Sequence, residues 1–165
     1  MEKKLNIAAN VAIIVVAAAT IIMFVRNEMV ARGSAQSTID PAILIGKQFP
    51  LNQPWSSHKK TVVLALHVGC RFCTASAPFY QRLTGYASAH QANVLALLPD
   101  SKEESNQYIQ QLGLTISAVP QVSFQKIDVR GTPTLFVVDS RGVVEKVWQG
   151  QLPDDEQRKV LSLLD

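Results

Sequence analysis

The chain of 165 residues contains two cysteines, and they stand three positions apart, at Cys70 and Cys73. Two thiols at this spacing at the start of a helix can meet with little movement of the backbone. Unpaired amide groups and the dipole at a helix N-terminus stabilise a thiolate, and the adjacent Arg71 adds positive charge. Cys73 falls inside the first turn, where it is better placed to resolve than to attack. The motif therefore predicts dithiol–disulfide exchange, in which Cys70 attacks a substrate disulfide and Cys73 displaces the mixed disulfide.

Two other interpretations of the cysteine pair stay open. A zinc site needs two further ligands, and none of the histidines at His58, His67 and His90 completes a closed ligand pattern. A purely structural disulfide across two intervening residues closes a small loop and gains little chain entropy. The preferred interpretation implies no metal, haem or nucleotide, because the cysteine pair is itself the redox cofactor.

Composition excludes several classes of protein. Of all residues, 47% are hydrophobic and 18% are charged, which excludes a disordered chain. The net charge of +3 comes without a dense basic stripe, so no nucleic-acid partner is expected. The length is sufficient for one folded domain and little more.

A stretch without charged residues runs over residues 5–25. About 20 apolar residues in a helix span a bilayer core of roughly 30 Å, so we predict a transmembrane anchor over residues 1–25. A cleaved signal peptide, with a small-residue site at residues 33–35, and a buried core helix are the alternatives. The positive-inside rule favours a cytoplasmic N-terminus only weakly.

The anchor divides the chain into three parts. A polar linker is expected over residues 26–41 and the folded domain over residues 42–165. The domain of such a single-pass protein of the inner or cytoplasmic membrane would face the periplasm or extracytoplasmic space. Disulfides form and persist in that compartment.

Hydrophobic patterning and turn residues predict the elements that position the cysteines. In chain order they are a buried strand over 61–67, a helix from Cys70 to about His90, a buried strand over 94–98, a helix ending near Leu112 with Gly113 as its stop, a strand over 135–138, a returning strand over 143–148 and a last helix. Pro78 is expected to kink the first helix, Ser101 and Glu104 to form a capping box, and Asp154 to cap the last helix. This order predicts an α/β protein whose sheet combines a parallel crossover with an antiparallel edge. Four aromatic side chains are expected to pack rather than to bind: Trp55, Phe79, Tyr80 and Trp148.

Two segments resemble the thioredoxin superfamily. Residues 68–73, followed by Pro78 five positions after the second cysteine, look like the active-site strand end and helix of thioredoxins. Residues 129–139, with Gly-Thr-Pro-Thr before an apolar strand, resemble the segment that carries the cis-proline in that family.

Two further features are similar to TlpA-like, membrane-anchored members of the superfamily. Residues 45–51 resemble the opening segment of TlpA-like and other redoxin domains. The separation between Cys73 and Pro133 is longer than in small thioredoxins, and the surplus includes residues 112–125, where TlpA-like domains carry an insertion.

The resemblance implies a thioredoxin-like fold, a central mixed β-sheet flanked by helices, and a thiol–disulfide oxidoreductase activity. It implies that Pro133 is cis and faces the cysteines, and that the backbone of Thr132 pairs with an extended substrate chain. Arg71 and Phe72 complete the expected substrate-binding set, with Phe72 as an exposed apolar rim. The expected partners are protein thiols and disulfides, and a membrane electron donor if the protein is a reductase.

The sequence departs from the family pattern at positions that tune redox chemistry. Leu64 stands where thioredoxins place a buried acid, and Ser76 where some extracytoplasmic reductases place one. Thr134 follows Pro133 in place of the acid of the cytochrome c maturation branch, which weakens a dedicated haem-protein role. The Arg-Phe dipeptide between the cysteines leaves the redox direction open, so a disulfide-introducing oxidant is the alternative to a reductase.

Two further alternatives belong to other classes. A peroxiredoxin needs Thr or Ser three residues before its reactive cysteine, and this position is His67. His67 could instead assist proton transfer, although a packed or half-exposed histidine is the more ordinary interpretation. The last alternative is a non-catalytic, membrane-anchored binding module, against which the intact cysteine motif argues.

Overall fold

The computed structural model describes residues 41–165. Two short 3-10 helices, Pro41–Leu44 and Trp55–Ser57, precede the main elements. In chain order, the main elements are β1 (Lys60–Ala65), α1 (Arg71–Ala75), α2 (Ala77–Ala89), β2 (Asn93–Leu97), α3 (Lys102–Gln111), β3 (Ser117–Val119), β4 (Thr134–Asp139), β5 (Val144–Gln149) and α4 (Asp154–Ser162). The predicted anchor over residues 1–25, and all of the predicted linker except residue 41, lie outside the described residues. In the described part of the chain, no helix combines the length and apolar character needed to cross a membrane.

One mixed sheet organises the described residues, with strand order β3-β2-β1-β4-β5. β1 is parallel to β2, and β2 is parallel to β3, whereas β4 is antiparallel to both of its neighbours. This confirms the predicted α/β class with a parallel crossover and an antiparallel edge. The carboxyl ends of β1 and β2 therefore lie at the same end of the sheet. β4 begins at this end, because Thr134 lies opposite Ala65.

The central strands are buried on both faces, as their continuous apolar runs predict. On one face, Val62, Leu64 and Leu66 pack in a cluster with apolar side chains from the helices. On the other face, Val63 and Ala65 pack in a second cluster that includes the buried aromatic side chains of Phe49 and Trp55. The helix-covered face is the one that receives the active-site helix.

The helix predicted from Cys70 to His90 is divided into α1 and α2, and the division falls two residues before Pro78, the residue expected to kink it. The structure has two helices that meet at Ser76, whose N–H is bonded to the carbonyls of Phe72 and Cys73. The Ser76 hydroxyl donates to the Phe72 carbonyl at 2.9 Å and closes the first helix. Pro78 lies in the first turn of α2, where its missing N–H leaves no helical bond unmade.

Several other boundaries differ from those expected. β1 ends at Ala65 rather than at residue 67, so the chain leaves the sheet sooner before the cysteines. Pro153, not Asp154, occupies the N-cap position of α4, and Asp154 is its first helical residue. The surplus before the cis-proline segment contains β3, a strand of three residues that the sequence analysis missed.

Other local predictions are confirmed. The Ser101 hydroxyl accepts from the N–H of Glu104, and the Glu104 carboxylate accepts from the N–H of Ser101, which completes the capping box. The bonds from the Ser101 hydroxyl and N–H lower the pKa of Glu104. Gly113 follows α3 with a φ of +69°, in the left-handed region expected of a helix stop.

The four aromatic side chains that the sequence predicts to pack are all buried or partly buried. Trp55, Phe79 and Tyr80 are buried. Burial raises the pKa of Tyr80. Trp148 is partly buried against the helix-side cluster, and its indole N–H donates to Glu156 at 2.7 Å.

Candidate active site

The cysteine pair lies just beyond the carboxyl end of β1, at the N-terminus of α1. Cys70 is the N-cap residue, and Cys73 is the third residue of the helix. The two sulfurs form a disulfide, and the Cα atoms are 5.2 Å apart. The backbone N–H of Cys73 is directed at the Cys70 sulfur, 3.1 Å away. A thiolate at Cys70 would thus receive an amide hydrogen bond in addition to the favourable end of the helix dipole.

The two sulfurs differ in their access to solvent. Cys73 is completely buried in the helix-side cluster, whereas Cys70 is only partly buried. A substrate disulfide can therefore approach Cys70 but not Cys73. This difference agrees with the order of attack expected from the sequence.

The loop before β4 lies against the cysteine pair. The peptide bond between Thr132 and Pro133 is cis, as the resemblance implies. The carbonyl oxygen of Thr132 is 3.5 Å from the Cys70 sulfur. Two hydrogen bonds hold the loop: the Thr134 hydroxyl donates to Gly131 O at 2.6 Å, and the Gly150 N–H donates to Pro133 O at 2.7 Å.

The two residues between the cysteines are on the surface. Phe72 keeps 51% of its area exposed, and its expected role as an apolar rim stays a prediction. The guanidinium carbon of Arg71 lies 5.5 Å from the centre of the Phe72 ring, within the range of a cation–π contact. The two residues that follow Cys70 therefore present an apolar ring and a positive charge to solvent.

Neither of the two positions at which related proteins carry an acid holds a carboxylate in this chain. Leu64 is buried in the helix-side cluster, and Ser76 is buried and donates to a helix carbonyl. His67 is exposed, and its Nδ1 is 2.6 Å from the carbonyl oxygen of its neighbour Val68. The expected role of His67 in proton transfer stays a prediction.

Sequence analysis missed two contacts to the active-site segment. Tyr108 of α3 places its hydroxyl 3.1 Å from the hydroxyl of Thr74 and 3.5 Å from the carbonyl of Cys70. Asp100, just after β2, accepts a hydrogen bond from the N–H of Val68 at 3.1 Å. The topology could have indicated Asp100, because the carboxyl ends of parallel neighbours lie at the same sheet edge. No pattern in the sequence points to Tyr108, whose contact depends on how α3 packs.

Among the residues that the structure describes, no group of three His, Cys, Asp or Glu side chains could hold a metal ion. Both cysteines are occupied by their mutual disulfide.

This sheet order, with a disulfide of the Cys-x-x-Cys type at a helix N-terminus and a cis-proline beside it, defines a thioredoxin-like protein. The AhpC/TSA family matches residues 44–147, a range that includes both cysteines and the cis-proline, and the chain belongs to this family. No curated protein matches the sequence significantly.

Solved structures share the fold at low sequence identity. The thioredoxin domain of a thiol-disulfide oxidoreductase from Bacteroides vulgatus is 15% identical, with a TM-score of 0.61 over 73% of this chain and 98% of that one. A thiol-disulfide isomerase from Corynebacterium glutamicum is 18% identical, with a TM-score of 0.58 over 73% of this chain and 91% of that one. A thiol:disulfide interchange protein from Chlorobium tepidum is 16% identical, with a TM-score of 0.56 over 67% and 83% of the two chains. These similarities show the thioredoxin-like fold.

Proposed function

We propose that the protein is a membrane-anchored, extracytoplasmic thiol–disulfide oxidoreductase that reduces disulfides in other proteins. The observation that carries the proposal is the asymmetry of the pair: Cys70 is partly exposed and receives an amide hydrogen bond, and Cys73 is buried behind it. Membership of the AhpC/TSA family and a fold shared with thiol–disulfide oxidoreductases support it. The charge-free stretch over residues 5–25 supports the anchor.

The reaction starts from the reduced pair. The Cys70 thiolate attacks one sulfur of a substrate disulfide, and the other substrate sulfur leaves as a thiolate that takes up a proton. Cys73 then loses its proton and attacks the Cys70 sulfur, and the second substrate thiolate leaves. Two electrons pass from the pair to the substrate. A membrane electron donor must return two electrons to the Cys70–Cys73 disulfide before another cycle.

Substrate docking involves the surfaces on both sides of the Cys70 sulfur. On one side, the backbone of Thr132 pairs with an extended substrate segment, and the buried ring of Pro133 fixes the direction of that backbone. On the other side, Phe72 covers apolar substrate side chains, and Arg71 holds positive charge beside the attacking sulfur.

A trapping experiment tests the order of attack. In cells that express the full chain, the Cys73→Ala variant should accumulate disulfide-linked adducts with other proteins, because nothing displaces the mixed disulfide. The Cys70→Ala variant is the matched control and should form almost none, since its remaining thiol is buried. Equal adducts from both variants would contradict the assigned roles. Unchanged partner binding and cellular phenotype in Cys70→Ala would favour the binding-module alternative.

The direction of electron flow is tested by the reduction potential of the full-length chain, equilibrated with glutathione or dithiothreitol. A value near that of thioredoxin, about −270 mV, supports a reductase. A value near that of the strong oxidants, about −120 mV, would make the protein a disulfide-introducing enzyme.

The predicted location has its own test, because a membrane-impermeant maleimide should label reduced Cys70 in intact cells with a permeable outer envelope. Labelling only after lysis would contradict an extracytoplasmic domain.

A further inference from the structure

Asp100 joins the active-site loop at the point where the sheet ends. The last main-chain bond between the two neighbouring chain segments runs from the N–H of Leu66, just after β1, to the carbonyl of Leu97 in β2, at 2.9 Å. Beyond it, the chain that follows β2 turns at Pro99. The Asp100 carboxylate then takes the place of a main-chain acceptor and bonds the N–H of Val68 at 3.1 Å. The carboxylate therefore continues the sheet by one bond into the loop that carries Cys70.

Hydrogen bonds to the backbone of Asp100 fix the position of this residue. The Asp100 carbonyl accepts from the N–H of Gln121 at 3.0 Å and from the hydroxyl of Ser105 at 3.4 Å. Ser105 is completely buried, and Asp100 itself is only partly exposed. Two other segments thus hold the backbone of Asp100, and the Val68 N–H holds its carboxylate.

The loop between Val68 and Cys70 makes a tight turn, which keeps the Asp100 carboxylate near the Cys70 sulfur. The N–H of Cys70 donates to His67 O at 3.1 Å, and Gly69 has a φ of +78°, in the left-handed region that glycine tolerates. Val68 N is 3.1 Å from the carboxylate, and Cys70 follows two residues later, so the chain geometry places the carboxylate within about 15 Å of the Cys70 sulfur.

We propose that Asp100 is a positioning residue that makes the cysteine pair more reducing, an inference that rests on the proposed function. A thiolate exists only in the reduced pair, and a fixed negative charge nearby disfavours it. Stabilising the reduced form makes such a pair a stronger oxidant, so destabilising that form makes it a stronger reductant. The Asp100 charge thus opposes the helix N-terminus and Arg71, which both favour the thiolate.

The test is the equilibrium of the full-length chain with glutathione at pH 7. One protein disulfide and two molecules of reduced glutathione give one protein dithiol and one molecule of glutathione disulfide. Asp100→Asn keeps an oxygen that can accept from Val68 and removes the charge. We expect its equilibrium constant to shift towards the dithiol by about three- to tenfold, the size expected for one charge at this distance near a protein surface. A tenfold shift corresponds to about 30 mV.

Glu103→Gln is the matched control. Glu103 is exposed in the first turn of α3, three residues from Asp100, and its replacement removes the same charge. We expect the Glu103→Gln equilibrium constant to stay within about 1.5-fold of the wild-type value, because exposed charges are screened. Asp100→Ser, a smaller neutral acceptor, is the second variant in case Asp100→Asn does not fold, and it should shift the equilibrium in the same direction.

Three outcomes distinguish the proposals. A wild-type pair that equilibrates with glutathione, together with an unchanged constant in Asp100→Asn and Asp100→Ser, overturns the role of Asp100 and leaves the proposed function standing. An equal shift in Glu103→Gln overturns it as well, since the effect is then not specific to the loop. A wild-type pair that does not exchange with glutathione overturns the proposed function and this inference together.

Discussion

The two ends of the central sheet differ in how their polar groups and backbone are arranged. At the end where β1 and β2 finish, the chain has a partly exposed sulfur at Cys70 and a cis peptide bond at Thr132–Pro133. At the opposite end, the turn between β4 and β5 is closed by the Asp139 carboxylate. That carboxylate accepts from the N–H groups of Arg141 and Val143, each at 2.9 Å, and from the Arg141 guanidinium at 2.8 Å.

The hairpin end is also closely packed against the N-terminal segment of the described chain. Gly142 has a φ of +84°, and its N–H bonds to Asp139 O at 2.9 Å. A Cβ atom at Gly142 would lie 2.7 Å from the Trp55 ring and 2.5 Å from the Gln48 amide. One end of the sheet thus maintains strand register, and the other presents a reactive atom. Substitutions at the hairpin end should change stability, and substitutions at the cysteine end should change chemistry.

The largest expected effect is at the cysteine end. Cys70→Ser replaces the accessible nucleophile by a hydroxyl that does not exchange with disulfides, so reduction of insulin by the full chain with dithiothreitol should fall by at least about a thousandfold. The urea midpoint of the variant should match that of the reduced wild type, because a serine hydroxyl can also accept from the Cys73 N–H and donate to the Thr132 carbonyl. Residual activity of more than a few per cent would mean that buried Cys73 can attack substrate directly.

At the hairpin end, Gly142→Ala should reduce stability and leave the chemistry unchanged. A left-handed backbone and contact with the Trp55 ring should together cost about 2–4 kcal/mol in the free energy of unfolding, measured in urea. The reduction potential of the folded variant should equal that of the wild type. A changed potential with unchanged stability would contradict the separation of the two ends.

Gly85→Ala is the control for this substitution. Gly85 lies within α2, and a Cβ there would meet no atom within 4 Å. Alanine is favoured over glycine inside a helix by about 0.8–1.0 kcal/mol, so this variant should be more stable than the wild type. If both alanine variants lost stability equally, the special geometry at Gly142 would not be the cause.

The two ends also differ in how far the sequence predicts them. The hairpin follows from local patterns, because two β-branched strands flank an Asp-Ser-Arg-Gly turn. The roles expected of Cys70 and Cys73 follow from spacing and from the helix N-terminus. The helical pattern continues through the junction at Ser76, and the sequence marks this junction only by Pro78, two residues later.

Long-range contacts were harder to predict. The bond between Asp100 and Val68 joins residues 32 positions apart, and the contact of Tyr108 with the Cys70 carbonyl joins residues 38 apart. Neither residue belongs to a motif, so each contact follows from strand order and helix packing. The three-residue strand β3 lies at the sheet edge and is too short to give a periodic signal.

The contribution of Asp139 at the hairpin end to the free energy of unfolding should depend on pH. Burial disfavours ionisation of Asp139, but bonds from the Val143 N–H and from the side chain and N–H of Arg141 outweigh burial and lower its pKa. Its contribution to stability is therefore present above the unfolded-state pKa, about 3.9, and is lost as the pH falls through the lower folded-state pKa. Asp139→Asn should cost about 1–2 kcal/mol at pH 7.

The same variant gives a clear sign in acid. The difference in unfolding free energy between wild type and Asp139→Asn, measured in urea, should narrow as the pH is lowered from about 4 to 2. Lys60→Gln is a suitable comparison, since it removes an ion pair with Glu145 at the same end of the sheet, and both partners are partly exposed. A difference for Asp139→Asn that stays constant over this pH range would show that its carboxylate does not contribute through its charge.

The smallest expected effect returns to the cysteine end and tests whether its surface, as well as its sulfur, contributes to activity. Phe72→Ala removes an exposed ring and should leave the unfolding free energy within about 0.5 kcal/mol of the wild type. If the ring contacts substrate, the KM for insulin should rise about three- to fivefold, equivalent to about 1 kcal/mol, with kcat unchanged. Ile45→Ala, an exposed apolar side chain outside the cysteine motif, should leave KM unchanged. An equal rise in both variants would mean that general surface apolarity, rather than the rim beside Cys70, governs docking.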